Sequence, residues 1–230
     1  MSAIYGTNLA TDGLEILFDP NNPGSYPGSG DSIFDLSGNS RTGTLYGSPS
    51  FSANYMNFDG SNDYIQFPTI TLARSGSAWF AWVYVTDFSS FTSGKTVNSR
   101  ILVRGESGYN RVFALYNGGF GFETNLNSNP VDIASDTTPN HSVAGISSGK
   151  WMNICMNFSS NTAKTYLDGV EVESFSVGDN LELRYIGRIQ DPTNYPDYLK
   201  GRLGIFGIYN RALSVNEIVN NYDAFVARYT

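Results

Sequence analysis

Lys150-Trp-Met-Asn-Ile-Cys-Met-Asn-Phe158, followed by Thr162–Asp168 and Val170–Phe175, decides the class of fold. In the first run Met152, Ile154, Met156 and Phe158 alternate with Asn153, Cys155 and Asn157. A period of two is what a strand presenting one face to a core requires, and a helix does not produce it. The next two runs are rich in Thr, Tyr, Val and Phe and meet across Asp168-Gly169. That dipeptide tolerates the positive φ angles of a two-residue hairpin turn. The Met152 set belongs in the core, and Cys155 falls on the more polar face as a small packing residue.

The same signals extend outward. Ser77-Ala-Trp-Phe-Ala-Trp-Val-Tyr-Val85 is apolar on both faces, which predicts a central strand covered on both sides. Asn54–Asp59 and Asp63–Phe67 flank Gly60-Ser-Asn62 and read as a hairpin. Gly13–Asp19, Thr42–Tyr46, Arg100–Arg104, Arg111–Tyr116, Gly119–Thr124, Glu182–Arg188 and Leu199–Tyr209 read as further strands. Pro20–Ser32 and Asn125–Ser142 read as long loops, the second polar and folded over one face. The end differs: Ser214-Val-Asn-Glu217 is a capping box. Val215, Ile218, Val219, Tyr222, Phe225, Val226 and Tyr229 then share one helical face, predicting one helix over about Val215–Arg228. With no linker or internal repeat, the expectation is a single domain over residues 1–230. It comprises an N-terminal arm (1–12), an all-β, two-sheet antiparallel sandwich and one short C-terminal helix (214–228).

Composition excludes several functions. The 14 Lys and Arg are scattered singly against 21 Asp and Glu, a net charge of −7, so no phosphate-tracking surface is expected. No run approaches the ~18 apolar residues of a membrane span. Met1–Gly6 has neither a basic start nor an apolar stretch, so no secretory signal is expected and synthesis in a cytoplasm is. Cys155 is the single cysteine and His141 the single histidine, placed in a polar loop, so neither a disulfide nor a two-histidine metal pair can form. Gly145-Ile-Ser-Ser-Gly149 matches a nucleophile elbow by spacing, but that motif needs a following helix and a later histidine. Here a strand follows and His141 precedes, so the segment reads as a turn. Glycoside hydrolysis needs paired carboxylates, about 5–5.5 Å apart for retention. The nearest approach, Glu171-Val-Glu173, lacks a third acid and reads as a solvated strand face. No catalytic residue is expected.

Four segments in order carry a resemblance. They are Gly13–Asp19 with Asp35-Leu-Ser-Gly-Asn39; Met56-Asn-Phe-Asp-Gly-Ser-Asn-Asp-Tyr-Ile65; Lys164-Thr-Tyr-Leu-Asp-Gly169; and Ile186-Gly-Arg188 leading to Gly204-Ile-Phe-Gly-Ile-Tyr-Asn-Arg-Ala-Leu-Ser214. Together they resemble the laminin-G-like jelly-roll family of the concanavalin A-like superfamily. The resemblance implies two sheets packed face to face, one convex and one concave. Ile186-Gly-Arg-Ile-Gln-Asp191 is similar to the strand end at which pentraxins hold calcium. That would make Gln190 and Asp191 ligands of Ca2+ with Asn110 nearby, although Ile189 and Tyr109 stand where acids are expected. On such a frame a sugar needs rings beneath its apolar face and amides at its rim. Tyr109, Tyr116 and Asn117 in one loop set, and Tyr195 and Tyr198 in another, are the candidates.

Tyr26-Pro-Gly-Ser-Gly30 with Arg228-Tyr229 is similar to structural proteins of tailed bacteriophages. This resemblance implies a non-catalytic virion protein, a capsid decoration or fibre component with a lectin-like domain. Its expected partners are other virion proteins, further copies of itself and a cell-surface glycan, with neither nucleic acid nor membrane insertion. A carbohydrate-binding module of a bacterial surface or secreted system is the alternative reading, and a glycoside hydrolase with unrecognised acids the third.

Overall fold

The computed structural model describes residues 8–52, 54–86, 88, 99–104, 112–116, 118–123, 141–178, 180–188 and 198–230. In chain order the strands are β1 (Leu14–Phe18), β2 (Ser32–Ile33), β3 (Gly43–Tyr46), β4 (Ser50–Ser52), β5 (Tyr55–Asp59) and β6 (Tyr64–Leu72). There follow β7 (Gly76–Val85), β8 (Ser99–Arg104), β9 (Val112–Tyr116), β10 (Gly119–Glu123) and β11 (His141–Ser142). Last come β12 (Trp151–Ser159), β13 (Thr162–Leu167), β14 (Val170–Ser176), β15 (Leu181–Ile186) and β16 (Lys200–Tyr209), then helices α1 (Val215–Asp223) and α2 (Val226–Tyr229). Sheet one is ordered β14-β13-β12-β7-β16-β5-β4, with β1 pairing β16 beside β5. Sheet two is ordered β11-β10-β9-β8-β15-β6-β3-β2. All strand pairings are antiparallel.

β7 explains its own composition. Trp79, Ala81, Val83 and Val85 face sheet two in the main core, with Met152, Ile154, Met156 and Phe158 beside them. Ala78, Phe80 and Trp82 face the other way into a second apolar layer closed by Leu213, Ile218, Phe225 and Tyr229. Sheet one is therefore covered on both faces, and its central strand is apolar throughout. The Asp168-Gly169 hairpin forms as expected, with φ of 51° and 79°.

The structure corrects five readings. β5 and β6 do not pair; they lie in opposite sheets, and Gly60-Ser-Asn62 is a corner between them. The Asp63 carboxylate accepts the Asp59 N–H at 2.9 Å and that of Asp59 accepts the Ser61 N–H at 2.7 Å, which turns the chain over. The face of β12 carrying Asn153, Cys155 and Asn157 is covered by the C-terminal layer, and Asn157 clamps the Leu213 backbone through two hydrogen bonds of 2.9 Å. The C-terminal helix is broken at Ala224–Phe225, where Phe225 leaves helical geometry and is driven into the layer at 1% exposure. Val215 and Val219 are exposed, the buried stripe being Ile218, Asn221, Phe225 and Tyr229. His141 lies in the edge strand β11, paired with Phe120 of β10.

The helix start is held as the motif foretold. Ser214 N–H donates to Glu217 at 2.8 Å, and Arg211 reaches the same carboxylate at 2.5 Å while also meeting Asp12 at 2.7 Å. Hydrogen bonding from Arg211, then from the Ser214 backbone, lowers the Glu217 pKa from an ordinary 4.5 to about 2. A carboxylate with a depressed folded pKa contributes stability above pH ~4.5 that is lost as pH falls toward 2. Glu217→Gln should lower stability at neutral pH by about 1 kcal/mol, the scale of one cap. Its melting temperature should then fall less steeply than wild type between pH 4.5 and 2, read by thermal melts across that range. Phe225→Ala should cost about 3–5 kcal/mol in denaturant unfolding. A loss under about 1 kcal/mol would show that this layer does not hold the sheet.

Candidate functional site

The outer face of sheet two carries the richest polar-aromatic surface. Register sets a row across five strands: Arg104 opposite Tyr185, Tyr185 opposite Gln66, Gln66 opposite Thr44 and Thr44 opposite Ser32. One outward step along, Tyr46 of β3 stands directly opposite Tyr64 of β6, and their rings stack at 4.6 Å with a 5° interplanar angle. Tyr64 meets Tyr185 edge-on at 6.2 Å and Tyr198 at 6.5 Å. The Arg188 guanidinium lies 4.5 Å from the Tyr64 ring and 4.7 Å from that of Tyr185. These contacts make a shelf of four rings and one cation whose outermost ring, Tyr46, is 40% exposed.

The shelf continues into an open cleft lined by Tyr26, Gly30, Asp31, Thr44, Tyr46 and Gly47. Tyr26 packs on Phe51 at 5.3 Å and donates its hydroxyl to Gly30 O at 3.3 Å, so Tyr26-Pro-Gly-Ser-Gly30 forms one rim. Gly47 turns the chain away at φ 82°, with the Asn62 backbone and the Asp63 carboxylate where a side chain would stand. Asp63 is buried, which raises its pKa, and it serves this corner.

Of the residues singled out from sequence, Tyr198 belongs to this shelf. It bridges Arg188 across the base of the segment between them, and its buried hydroxyl has a raised pKa from desolvation. Tyr116 ends β9 opposite Ser99 and Gly119, four residues from the Val112–Arg104–Tyr185 row, so the register does not bring it to Tyr198. Tyr109, Asn110, Asn117, Gln190, Asp191 and Tyr195 lie outside the described residues, and with them the proposed calcium ligands. Among the described residues no group of three or more His, Cys, Asp or Glu comes together. Tyr46, Tyr64 and Tyr185 were missed because alternation assigns a face to each strand and does not say which strands are neighbours.

Residues 59–219 match the laminin-G-type family of the concanavalin A-like lectin/glucanases superfamily. The chain belongs to that family. A search of curated proteins gave no match. Among solved structures it is similar to a Trypanosoma rangeli sialidase in complex with sialic acid, at 14% identity and a TM-score of 0.67, covering 95% of this chain and 34% of the sialidase. It is also similar to the binding domain of botulinum neurotoxin serotype D, at 14% identity and a TM-score of 0.63, covering 95% of this chain and 53% of that one. The binding domain of paraclostridial mosquitocidal protein 1 gives 16% identity and a TM-score of 0.61, covering 94% and 53%. The chain thus spans about a third to a half of these structures, and the likeness is one of fold.

The superfamily's name spans lectins and glucanases, so fold alone assigns no chemistry, and the one thiol is placed by its surroundings. Cys155 is 2% exposed between Phe80 and Tyr166, and burial pushes its thiol up to about 12. A thiol so placed is not a nucleophile at neutral pH. A disulfide-exchange reagent should leave it unlabelled in the folded protein and titrate one thiol after denaturation. Stoichiometric labelling under native conditions would contradict this burial.

Proposed function

We propose that this chain is a non-catalytic, glycan-binding surface domain, carried on a virion as a capsid decoration or fibre component. The observation that carries the binding reading is the Tyr46–Tyr64 stack with Arg188 beside it, opening into the cleft rimmed by Tyr26. The exposed Tyr46 ring, held by its stack on Tyr64, offers a face to the C–H side of a pyranose, while the cleft backbone and the Asp31 carboxylate offer hydrogen bonds to its rim. The non-catalytic reading is supported by what the described carboxylates do. Asp35 accepts the N–H groups of Leu17, Ser37 and Arg41. Asp168 accepts that of Asn153, Glu171 holds Lys164 and Tyr166, and Glu217 caps α1. Each of these is spent on a turn or a pair, and Asp31 in the cleft has no second acid beside it among the lining residues.

The virion placement rests on the resemblance of Tyr26-Pro-Gly-Ser-Gly30 and Arg228-Tyr229 to phage structural proteins. In that setting the partners are other virion proteins and further copies of this chain, and repetition on a particle converts weak single contacts into avidity.

Tyr64→Ala should weaken glycan binding, read on a glycan panel and then by titration, by about tenfold or more, the scale of losing one ring contact. Tyr64→Phe should retain most of it. Wild-type protein should release no reducing ends from any panel member, and purified particles should contain the chain in symmetric copy number. Glycan cleavage abolished by changing one carboxylate would overturn the non-catalytic reading; absence from purified particles would overturn the virion placement.

A further inference from the structure

The outer face of sheet one is not wholly covered by the C-terminal helices. Tyr229 closes it by stacking on Trp82 at 4.9 Å and packing at a 45° tilt on Trp151 at 4.6 Å, pressed against Gly204, where no side chain fits. Beyond that ring one cross-strand row remains open: Trp151 opposite Tyr84, Tyr84 opposite Arg202, Arg202 opposite Asn57 and Asn57 opposite Ser50. All five are partly or fully exposed. Tyr55 leans in from the next position, 5.6 Å from Trp151.

Arg202 is the unusual member. Its guanidinium lies 4.5 Å from the Tyr84 ring and 4.9 Å from the Tyr55 ring, and among the described residues it makes no hydrogen bond or ion pair. Elsewhere Arg41, Arg211 and Arg228 each hold a carboxylate. In a chain with 21 acidic residues for 14 basic ones, an arginine kept on rings and away from every described carboxylate has its donors left to spend. Two rings fix its orientation, so little side-chain freedom is lost when those donors are used. An in-plane, two-oxygen acceptor is what a guanidinium edge matches. The chain's overall charge of −7 disfavours a multiply charged anion and favours a single carboxylate. The neighbouring indole of Trp151, set between Tyr229, Tyr55 and Tyr84, keeps part of its apolar surface exposed, and Asn57, whose amide makes only a 3.5 Å contact with Ser50, supplies a donor and an acceptor.

We propose that this open end of sheet one is a second binding site, separate from the shelf on sheet two, for a carboxylate-bearing saccharide. The Arg202 edge takes the carboxylate, Trp151 stacks on the sugar's C–H face and Asn57 reads a flanking hydroxyl.

Fluorescence provides the test, because Trp79 and Trp82 are 1% exposed and Trp151 alone of the three tryptophans is reachable. Titration of the full chain with methyl β-D-glucuronide, which carries a single carboxylate, should give saturable quenching. Its methyl-esterified form should bind about tenfold more weakly or less, since removing the charge removes the charge-assisted pair. Acetate alone should not reach saturation in the same range. Arg202→Met should abolish the preference for acid over ester, and Lys164→Met, at the far edge of the same sheet, should leave it unchanged. Asn57→Asp places an internal carboxylate opposite Arg202; it should hold or raise the melting temperature while abolishing binding, which separates ligand loss from unfolding. Equal affinity for acid and ester, an absence of saturable quenching, undiminished binding by Asn57→Asp, or loss on Lys164→Met would each overturn the proposal.

Discussion

Burial of sheet one on both faces is the constraint on which the rest of the structure depends. A sheet with one face on a core and one in water needs only alternate apolar positions, and sheet two meets that rule. Sheet one does not: Phe80 and Trp82 on β7, Cys155 on β12 and Ile205 and Tyr209 on β16 lie on the face turned away from the main core, and all are buried. Something must cover them, and the chain uses its two ends. Asn221 of α1 accepts the Ala10 N–H at 2.9 Å and donates to the Tyr209 hydroxyl at 3.0 Å, which itself donates to Ala10 O at 2.8 Å. Three buried polar groups from the N-terminal segment, the last strand and the helix thereby satisfy one another. Arg228 adds a 2.8 Å pair to Asp19, which is 3% exposed and would be costly without it.

That covering decides where ligands can go. The helices and the segment before β1 cover the middle of the outer face of sheet one, so among the described residues the Tyr84 end and the Lys164–Glu171 edge stay open. Sheet two has no such layer among the described residues, and its outer face keeps the Tyr46–Tyr64 shelf accessible. Both candidate surfaces lie on strands, where cross-strand register fixes ring spacing more tightly than a loop would. Rings serve in two capacities here. Trp79 and Trp82 are structural and buried; Tyr46, Tyr84 and Trp151 come from the same alternating runs but stand where the covering stops.

How much of this was legible follows from what periodicity encodes. A period of two names the face of each side chain, so the core set on β12, the doubly buried β7 and the Asp168-Gly169 hairpin could all be read directly. It does not name the neighbouring strand. Asn54–Asp59 and Asp63–Phe67 look like a hairpin because both alternate and a glycine turn separates them, yet Asp59 and Asp63 use that turn to change sheets. The Tyr46–Tyr64 stack was hidden for the same reason, since β3 and β6 are brought together by their common sheet and not by sequence. Tyr198 was accessible to sequence reasoning as a ring beside a strand end. The helix break was not, because the capping box specifies a start and nothing in the apolar pattern specifies that Phe225 must turn inward.

The recurrent pairing of arginine with tyrosine says something further about the binding surfaces. A guanidinium held by a carboxylate has its charge answered and its fork occupied, and it presents little to a ligand. One laid on a ring keeps its in-plane donors, loses side-chain freedom in advance and gains roughly 0.5–2 kcal/mol from the ring itself. Arg202 between Tyr55 and Tyr84 is held in this way, whereas Arg211 and Arg228 are committed to Glu217 and Asp19 and serve the fold. The carboxylates follow the complementary division, with Asp19, Asp35, Asp63, Asp168 and Glu217 drawn into turns and caps. Arg202 thus differs from the other described arginines in keeping its in-plane donors among part-exposed rings, while these five acids are held by the architecture.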